Sequence, residues 1–324
     1  MDPAQFLTAP RVTIVAGKGG VGKTTVTAAL AVAATRVGLS ALIVEVEGKS
    51  GLPSLFGVPE LGYEDVVLSP GDPGSGRGEL RARTLTPDEA LVEYLQDHGL
   101  RRISNRLASS GALDMVATAT PGIKDVLILG KVKQLERAAA ADVIVLDAPA
   151  AGHAISFLRS ARGLLDAVEV GPIETQAREV MELLGDPSRC EVQLVTLPEE
   201  TPVNELVETA FSLEDQVGIS LAPVIVNGLY PTLAGLAEDP ADAAAAAGVS
   251  LRPGEAEAMR ISAEFRIRRT ALQEAQVQRM GRDLPLPQLR LPYLFTTDLG
   301  PAELSHLADE LLDQIAALST AGHT

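Results

Sequence analysis

The sequence is poor in cysteine, in aromatic residues and in positive charge, and each shortage narrows what the protein can be. One cysteine, Cys190, stands in 324 residues. It can form no intrachain disulfide and no multi-thiolate metal site, which fits a reducing compartment. Aromatic residues make up 3% and tryptophan is absent, while hydrophobic residues make up 46%. The core must be built from Leu, Val, Ala and Ile, as suits helices packed on a parallel sheet. Acidic residues outnumber basic ones by 43 to 27, a formal charge of −16. Such a surface repels phosphate backbones and anionic headgroups, which argues against nucleic acid as a partner. No apolar run approaches the roughly 20 residues that span a bilayer. Met1–Pro10 has neither the basic nor the apolar region of a secretory signal. The expectation is a cytoplasmic chain with no direct membrane span.

What is present is a recurrence of short apolar strands. Arg11–Ala16 (RVTIVA), Ala41–Val46 (ALIVEV), Asp142–Leu146 (DVIVL), Glu191–Leu197, Ala222–Val226 and Leu289–Leu294 read as strands. The first two flank a helix at Val21–Val37 and make a βαβ unit with a right-handed crossover. Asp88–Leu129 reads as mostly helical, broken at Pro121-Gly122, and Thr201–Gln216, Glu255–Met280 and Pro301–Leu318 as further helices. Pro70–Gly78 (PGDPGSGRG) reads as a mobile surface loop, and Glu238–Gly248 as an Ala-rich helix or linker. On the Glu255–Met280 helix, Ala258, Ile261, Phe265, Leu272 and Ala275 recur at three- and four-residue steps along one face. Arg266, Arg268 and Arg269 lie around it, read as solvated charges pairing with Glu264 and Glu274. The fold class is α/β: a mostly parallel twisted sheet with helices on both faces, plus a helical subdomain. Residues 1–324 are read as a single domain, with helical insertions at about 86–140 and 230–285.

The chemistry concentrates at Gly17-Lys18-Gly19-Gly20-Val21-Gly22-Lys23-Thr24, which satisfies G-x-x-x-x-G-K-[ST] with a strand before it and a helix after it. Glycines let the backbone fold into a nest whose N–H groups point at phosphate oxygens. The following helix turns its positive N-terminus to the same anion. ATP is therefore expected along Gly17–Thr25, with Lys23 neutralising the β- and γ-phosphates and Thr24 offering a hard oxygen to Mg²⁺. Asp147, which ends DVIVL, is the strand-end carboxylate for the metal shell, acting through water. His153, a few residues on, is read as structural.

Lys18 adds a second lysine to the loop, and KGGVGKTT resembles the deviant Walker A motif of the ArsA/Get3-type ATPases and their wider superfamily. There the extra lysine reaches the phosphates of a partner subunit, so the resemblance implies catalytic roles for Lys18 and Lys23 and a nucleotide-sandwich dimer. Asp147 to His153 (DAPAAGH) is similar to that branch's switch II, D-T-A-P-T-G-H, with alanine at both threonine positions. Leu197-Pro198-Glu199 and Val224–Asn227 resemble its later strand ends. The resemblance then places Asn227 on the adenine edge and Leu291-Pro292 along the base pocket. Switch I departs from the family's S-T-D-P-A-H: the strand runs into Glu45-Val46-Glu47-Gly48-Lys49, and Glu47 falls at the position of the water-orienting Asp. The VEVEGK form resembles paired Get3-like ATPases of actinobacteria, which implies a homodimer or a heterodimer with a related ATPase. The arsenite-binding thiolates and the zinc-binding C-x-x-C pair of other members are missing, and 5 methionines are too few for a Met-rich client groove. The function expected is an ATP-hydrolysing dimeric switch that handles a protein or membrane-protein client. The alternatives are a metabolic synthetase of the same superfamily and the ATPase subunit of an anion efflux pump.

Overall fold

The computed structural model describes residues 1–46, 51–97, 99, 122–149, 151–167 and 171–318. The described strands are β1 (Val12–Ala16), β2 (Ala41–Val46), β3 (Val66–Ser69), β4 (Leu80–Leu85), β5 (Val143–Asp147), β6 (Cys190–Thr196), β7 (Ser220–Leu221), β8 (Val224–Leu229) and β9 (Gln288–Pro292). The helices that open the chain are α1 (Pro3–Thr8), α2 (Lys23–Arg36), α3 (Gly51–Phe56) and α4 (Pro87–Asp97). After them come α5 (Ile123–Arg137), α6 (Ala151–Ala167), α7 (Pro172–Leu184) and α8 (Glu200–Gln216). The last three are α9 (Pro240–Ala246), α10 (Glu255–Asp283) and α11 (Pro301–Ala317). None of the described helices is long and apolar enough to cross a membrane.

The strands lie in the order β3-β4-β2-β5-β1-β6-β8-β9, with β7 on β6, and every pairing is parallel except β3 with β4. From β1 the chain winds to one side, through β2 and β4, and from β6 it winds to the other. Strand side chains alternate between two cores, because neighbouring residues of a strand point to opposite faces. Ile14, Leu42, Val44, Ile144, Leu146 and Val192 join one core with α5, α6, α7 and α8. Val15, Ile43, Val143, Val145 and Ile225 join the other with α2 and α11. Strands covered on both faces read as continuous apolar runs, which is why β1, β2, β5 and β6 stand out in the sequence. Helix α2 carries buried Ala28, Ala29, Ala31, Ala33 and Ala34, small enough to lie close to both the sheet and α11.

Residues 70–78, read as a surface loop, are the exposed connection of the β3–β4 hairpin, pinned by the paired backbones of Asp72 and Arg77 at 2.8 and 3.0 Å. Other parts of the fold differ from the sequence reading. Strand β4 (LRARTL) buries Arg83, whose guanidinium meets Asp65 at 3.1 Å and lies 4.8 Å over the Tyr63 ring, so charge conceals an interior strand. On α10 the buried residues are Gln273, Val277 and Met280, while Ile261, Phe265 and Leu272 are exposed. Ala258 and Phe265 of its apolar stripe line an open cavity with Tyr230, Leu233 and Phe295 and do not join the core.

One half-buried acid gives the fold a pH dependence. Glu191 on β6 shares a small cavity with Phe6, Leu7, Leu30, Val143 and Val145, and this desolvation pushes its carboxyl up from 4.5 to about 7. A carboxyl whose folded pKa is raised disfavours folding once ionised, so stability falls between about pH 4.5 and 7 and stays lower above. Glu191→Gln is expected to raise the unfolding free energy at pH 8 by up to about 3 kcal/mol and to change little at pH 4. Denaturant melts at the two pH values measure this; equal stability of both proteins at pH 8 would contradict it.

Candidate functional site

The site lies at the carboxyl ends of the central strands, where the two windings of the sheet diverge, the usual position of a ligand in an open α/β sheet. β1 delivers the chain there into residues 17–22, and α2 carries it away. Gly17 is buried at the end of β1, and a Cβ on it would collide with the Val195 carbonyl of β6. Gly19 and Gly20 are exposed at the tip and Val21 is buried beneath them. Gly22, the N-cap of α2, has φ +88°, and a Cβ there would collide with the Asn227 carboxamide. That carboxamide donates from Nδ2 to the Val21 carbonyl at 2.9 Å, tying β8 to the loop across the sheet.

Charge is arranged around the first turn of α2. Lys23 is buried to 8% exposure and its Nζ donates to the Lys18 carbonyl at 3.0 Å, bracing the loop from within. The next residue, Thr24, donates its hydroxyl to Asp147 Oδ2 at 2.7 Å. Thr25 is half-buried behind it. Asp147 stands beside Glu45 in the parallel register of β5 and β2, and each is 1% exposed. Both alternate with residues of the α5–α8 core, so both project toward α2. Thr84 on β4 donates to Glu45 at 3.3 Å. Lys18 points elsewhere: its Nζ pairs with Glu205 of α8 at 2.5 Å, both side chains more than a third exposed.

On the far side of the loop the ends of β6, β8 and β9 form a wall. Leu229 pairs in register with Pro292, which is half-buried, and Tyr293 donates its N–H to the Leu229 carbonyl at 2.7 Å. Leu197 and Tyr293 both lie where a Cβ on Gly228 would point. Beyond it Tyr230, Tyr293 and Phe295 pack ring against ring at centroid distances of 4.8–5.2 Å, and Arg266 lies 4.7 Å over both Tyr230 and Phe295. Among the expected site residues, the structure gathers Gly17–Thr25, Asp147 and Asn227 around the loop. Pro292 falls on the wall, and Glu47 lies outside the described residues, as does the His153 side chain.

Three contacts here had no signal in the sequence. Glu205 and Asn227 lie 187 and 206 residues from their partners in the loop. Glu45 is an acid at an interior strand position, and only its register beside Asp147 brings it to the site. Of the arginines read as a solvated set, Arg268 reaches Glu264, Arg269 bonds Glu199 at 2.5 Å, and Arg266 stacks on the aromatic wall.

A glycine loop on the middle strand of a parallel sheet, with its lysine and threonine opening the next helix against a strand-end carboxylate, is the construction of a P-loop nucleoside triphosphatase. A family model for anion-transporting ATPases, the ArsA ATPases, matches residues 10–169. The chain is similar to ATPase BagA of Mycobacterium tuberculosis, 32% identical over 329 residues, covering 95% of this chain and 94% of BagA. It is similar to the ATPase get3 of Schizosaccharomyces japonicus, 29% identical over 144 residues, covering 44% of this chain and 42% of that protein. An arsenical pump-driving ATPase of Escherichia coli is 24% identical over 254 residues, covering 71% of this chain and 41% of the pump protein. The chain belongs to the ArsA family and is a nucleotide-binding ATPase.

The loop's geometry generates a direct test. Gly22→Ala places a Cβ at φ +88° and against Asn227, which costs about 1–3 kcal/mol. The variant is expected to melt several degrees lower and to bind a fluorescent ATP analogue much more weakly. Unchanged melting and binding would contradict the close packing of Asn227 on the loop.

Proposed function

We propose that the chain is an ATP-hydrolysing dimeric switch, working in the cytoplasm, that couples Mg·ATP binding and hydrolysis to the handling of a protein client. The observation that carries this reading is the 2.7 Å contact of Thr24 with Asp147 beside the buried Lys23. A hydroxyl and a buried carboxylate facing one opening are the hard oxygen donors that suit Mg²⁺, the first bonding it directly and the second through water. When bound, the metal neutralises charge on the transferring phosphoryl group.

The remaining roles fall to the chain's own groups. The amides of Gly19, Gly20, Val21 and Gly22, with the N-terminus of α2, cradle the phosphates, and Thr25 supports the turn. Lys23 carries the opposing charge. Asn227 already commits an amide hydrogen to Val21, so its carbonyl oxygen is the group for the amino edge of adenine, with Pro292 lining the base. Glu47 orients the attacking water. Lys18 reaches the phosphates of a second subunit, either another copy or a related ATPase. Its partner in the present state, Glu205, is an exposed carboxylate; such pairs contribute little, so Lys18 exchanges it readily for phosphate.

Cys190 argues against a thiolate-based anion pump. It is 0% exposed, and burial pushes its thiol far above the ordinary range, so it offers no thiolate ligand.

Lys23→Ala is expected to abolish Mg·ATP hydrolysis, and undiminished turnover would remove the P-loop reading. Lys18→Ala should retain ATP binding but lose ATP-driven dimerisation in light scattering; a variant that still dimerises with ATP would leave Lys18 without its proposed role. Glu47→Gln should lower kcat by about 10²–10⁴-fold with little change in nucleotide affinity. Wild-type turnover in that variant would sink the assignment of Glu47.

A further inference from the structure

From residue 227 to residue 272 not one side chain is buried. The stretch runs from the end of β8 through α9 and along the first two-thirds of α10. A helix in water owes most of its stability to packing of an apolar face, yet α9 has no buried residue. Helix α10 is fixed farther along, at Gln273, which donates to the Gly228 carbonyl at 3.1 Å and accepts from the Tyr230 N–H at 2.9 Å. Between residues 230–243 and α10 lies an open cavity of about 660 Å³.

Most of the cavity is apolar. Leu233 and Leu236 line it from one side, Met259 and Phe265 of α10 from the other, and Tyr230 and Phe295 join them from the aromatic wall. Leu233, Met259, Phe265 and Phe295 are each more than half exposed. Clustered apolar side chains open to water mark an interaction site. The volume falls within the roughly 300–1,000 Å³ of pockets that hold small ligands.

Two charged residues line the cavity, Glu238 and Arg266. Glu238 is exposed to solvent. Arg266 is half-buried, with its guanidinium 4.7 Å from the centres of both the Tyr230 and Phe295 rings. Both rings line the cavity as well, so the positive charge sits at the cavity wall. Its Nη2 donates to the Pro231 carbonyl at 2.9 Å, and its Nε is shut off from water without a hydrogen-bond partner. Neighbouring arginines of α10 are neutralised: Arg260 by Glu257 and Glu264, Arg268 by Glu264, and Arg269 by Glu199. Among the described residues, no carboxylate pairs with Arg266. A cation drawn partly out of water is best matched by an anion with hydrogen-bond acceptors.

These features describe one class of ligand. An apolar chain suits the leucine, methionine and phenylalanine lining, and a carboxylate suits the flat guanidinium. A cationic head group would face like charge. The apolar helix of a protein would cover the lining but leave Arg266 without its anion.

We propose that the cavity between α10 and residues 230–243 is a binding site for a long-chain aliphatic carboxylate. The chain lies along Leu233, Met259 and Phe265, and the carboxylate pairs with Arg266. The bound chain supplies the apolar core that α9 lacks, so residues 230–246 become more ordered on binding. The site requires neither ATP hydrolysis nor a second subunit.

The test is calorimetric titration of dodecanoate into the nucleotide-free full chain, with dodecyltrimethylammonium as the probe of equal chain and opposite charge. Dodecanoate should bind saturably, one per chain, and the cationic probe about 10-fold more weakly or not at all. Arg266→Gln should weaken dodecanoate binding by about 10-fold or more. Met259→Glu puts a carboxylate into the lining at an exposed position, away from the stacked arginine, and should abolish binding with an unchanged melting temperature. Hydrogen exchange should slow at residues 230–246 when dodecanoate is added. Absence of saturable binding overturns the proposal, as do equal affinity for the two probes and wild-type affinity in Met259→Glu. Slowed exchange confined to other parts of the chain also overturns it. Binding of an amidated apolar helical peptide at these residues, with none of dodecanoate, overturns it and assigns the cavity to a protein helix.

Discussion

The hydrogen bond from Thr24 to Asp147 joins the start of α2 to the end of β5, and the site is arranged around the electrostatic problem it sits on. Two carboxylates, Glu45 and Asp147, stand side by side in adjacent strands with almost no exposure to water. Carboxyl groups held together in a poorly solvated place need hydrogen-bond donors or cations around them. Thr24 from α2 and Thr84 from β4 each donate a hydrogen bond to one of them, and Lys23 is buried next to Thr24. That demand explains why the P-loop, β2, β4 and β5 must meet at one point. It also explains why the point suits a divalent cation carrying phosphate.

The loop itself is held from two sides. Lys23 grips the Lys18 carbonyl from below and Asn227 grips the Val21 carbonyl from the side. A glycine loop gains reach at the cost of order, and these two anchors return the order without occupying the amides that face the phosphates. Because Asn227 comes from β8, the glycine loop and the wall formed by the ends of β6, β8 and β9 share one support. Lys18 is the exception, extending outward to an exposed acid. A side chain weakly held on one surface is suited to act on another.

Much of this was legible in the sequence, and what was not has physical reasons. The P-loop reads directly because its chemistry needs glycine, lysine and threonine at fixed spacing. The central strands read as apolar runs because they are covered on both faces. Strand β4 does not, since Arg81 and Arg83 are compensated there by Asp65, a residue that only the fold brings near. Glu205 escapes for the same reason, and Asn227, expected at the base, gave no sign of its bond to the loop. Helix α10 is the instructive case. An amphipathic surface helix normally turns its apolar stripe inward, yet here the buried side is Gln273, bonded to two backbone groups, with Val277 and Met280 of the core.

The central claim is that Asp147, through its position beside Thr24, makes nucleotide binding depend on magnesium. Calorimetric titration of ATP into the wild type and into Asp147→Asn, each with Mg²⁺ and with chelator, tests it most directly. The account predicts that magnesium tightens ATP binding strongly in the wild type. In Asp147→Asn, binding in chelator should be preserved and most of the magnesium-dependent gain lost. An equal gain from magnesium in both proteins would contradict it.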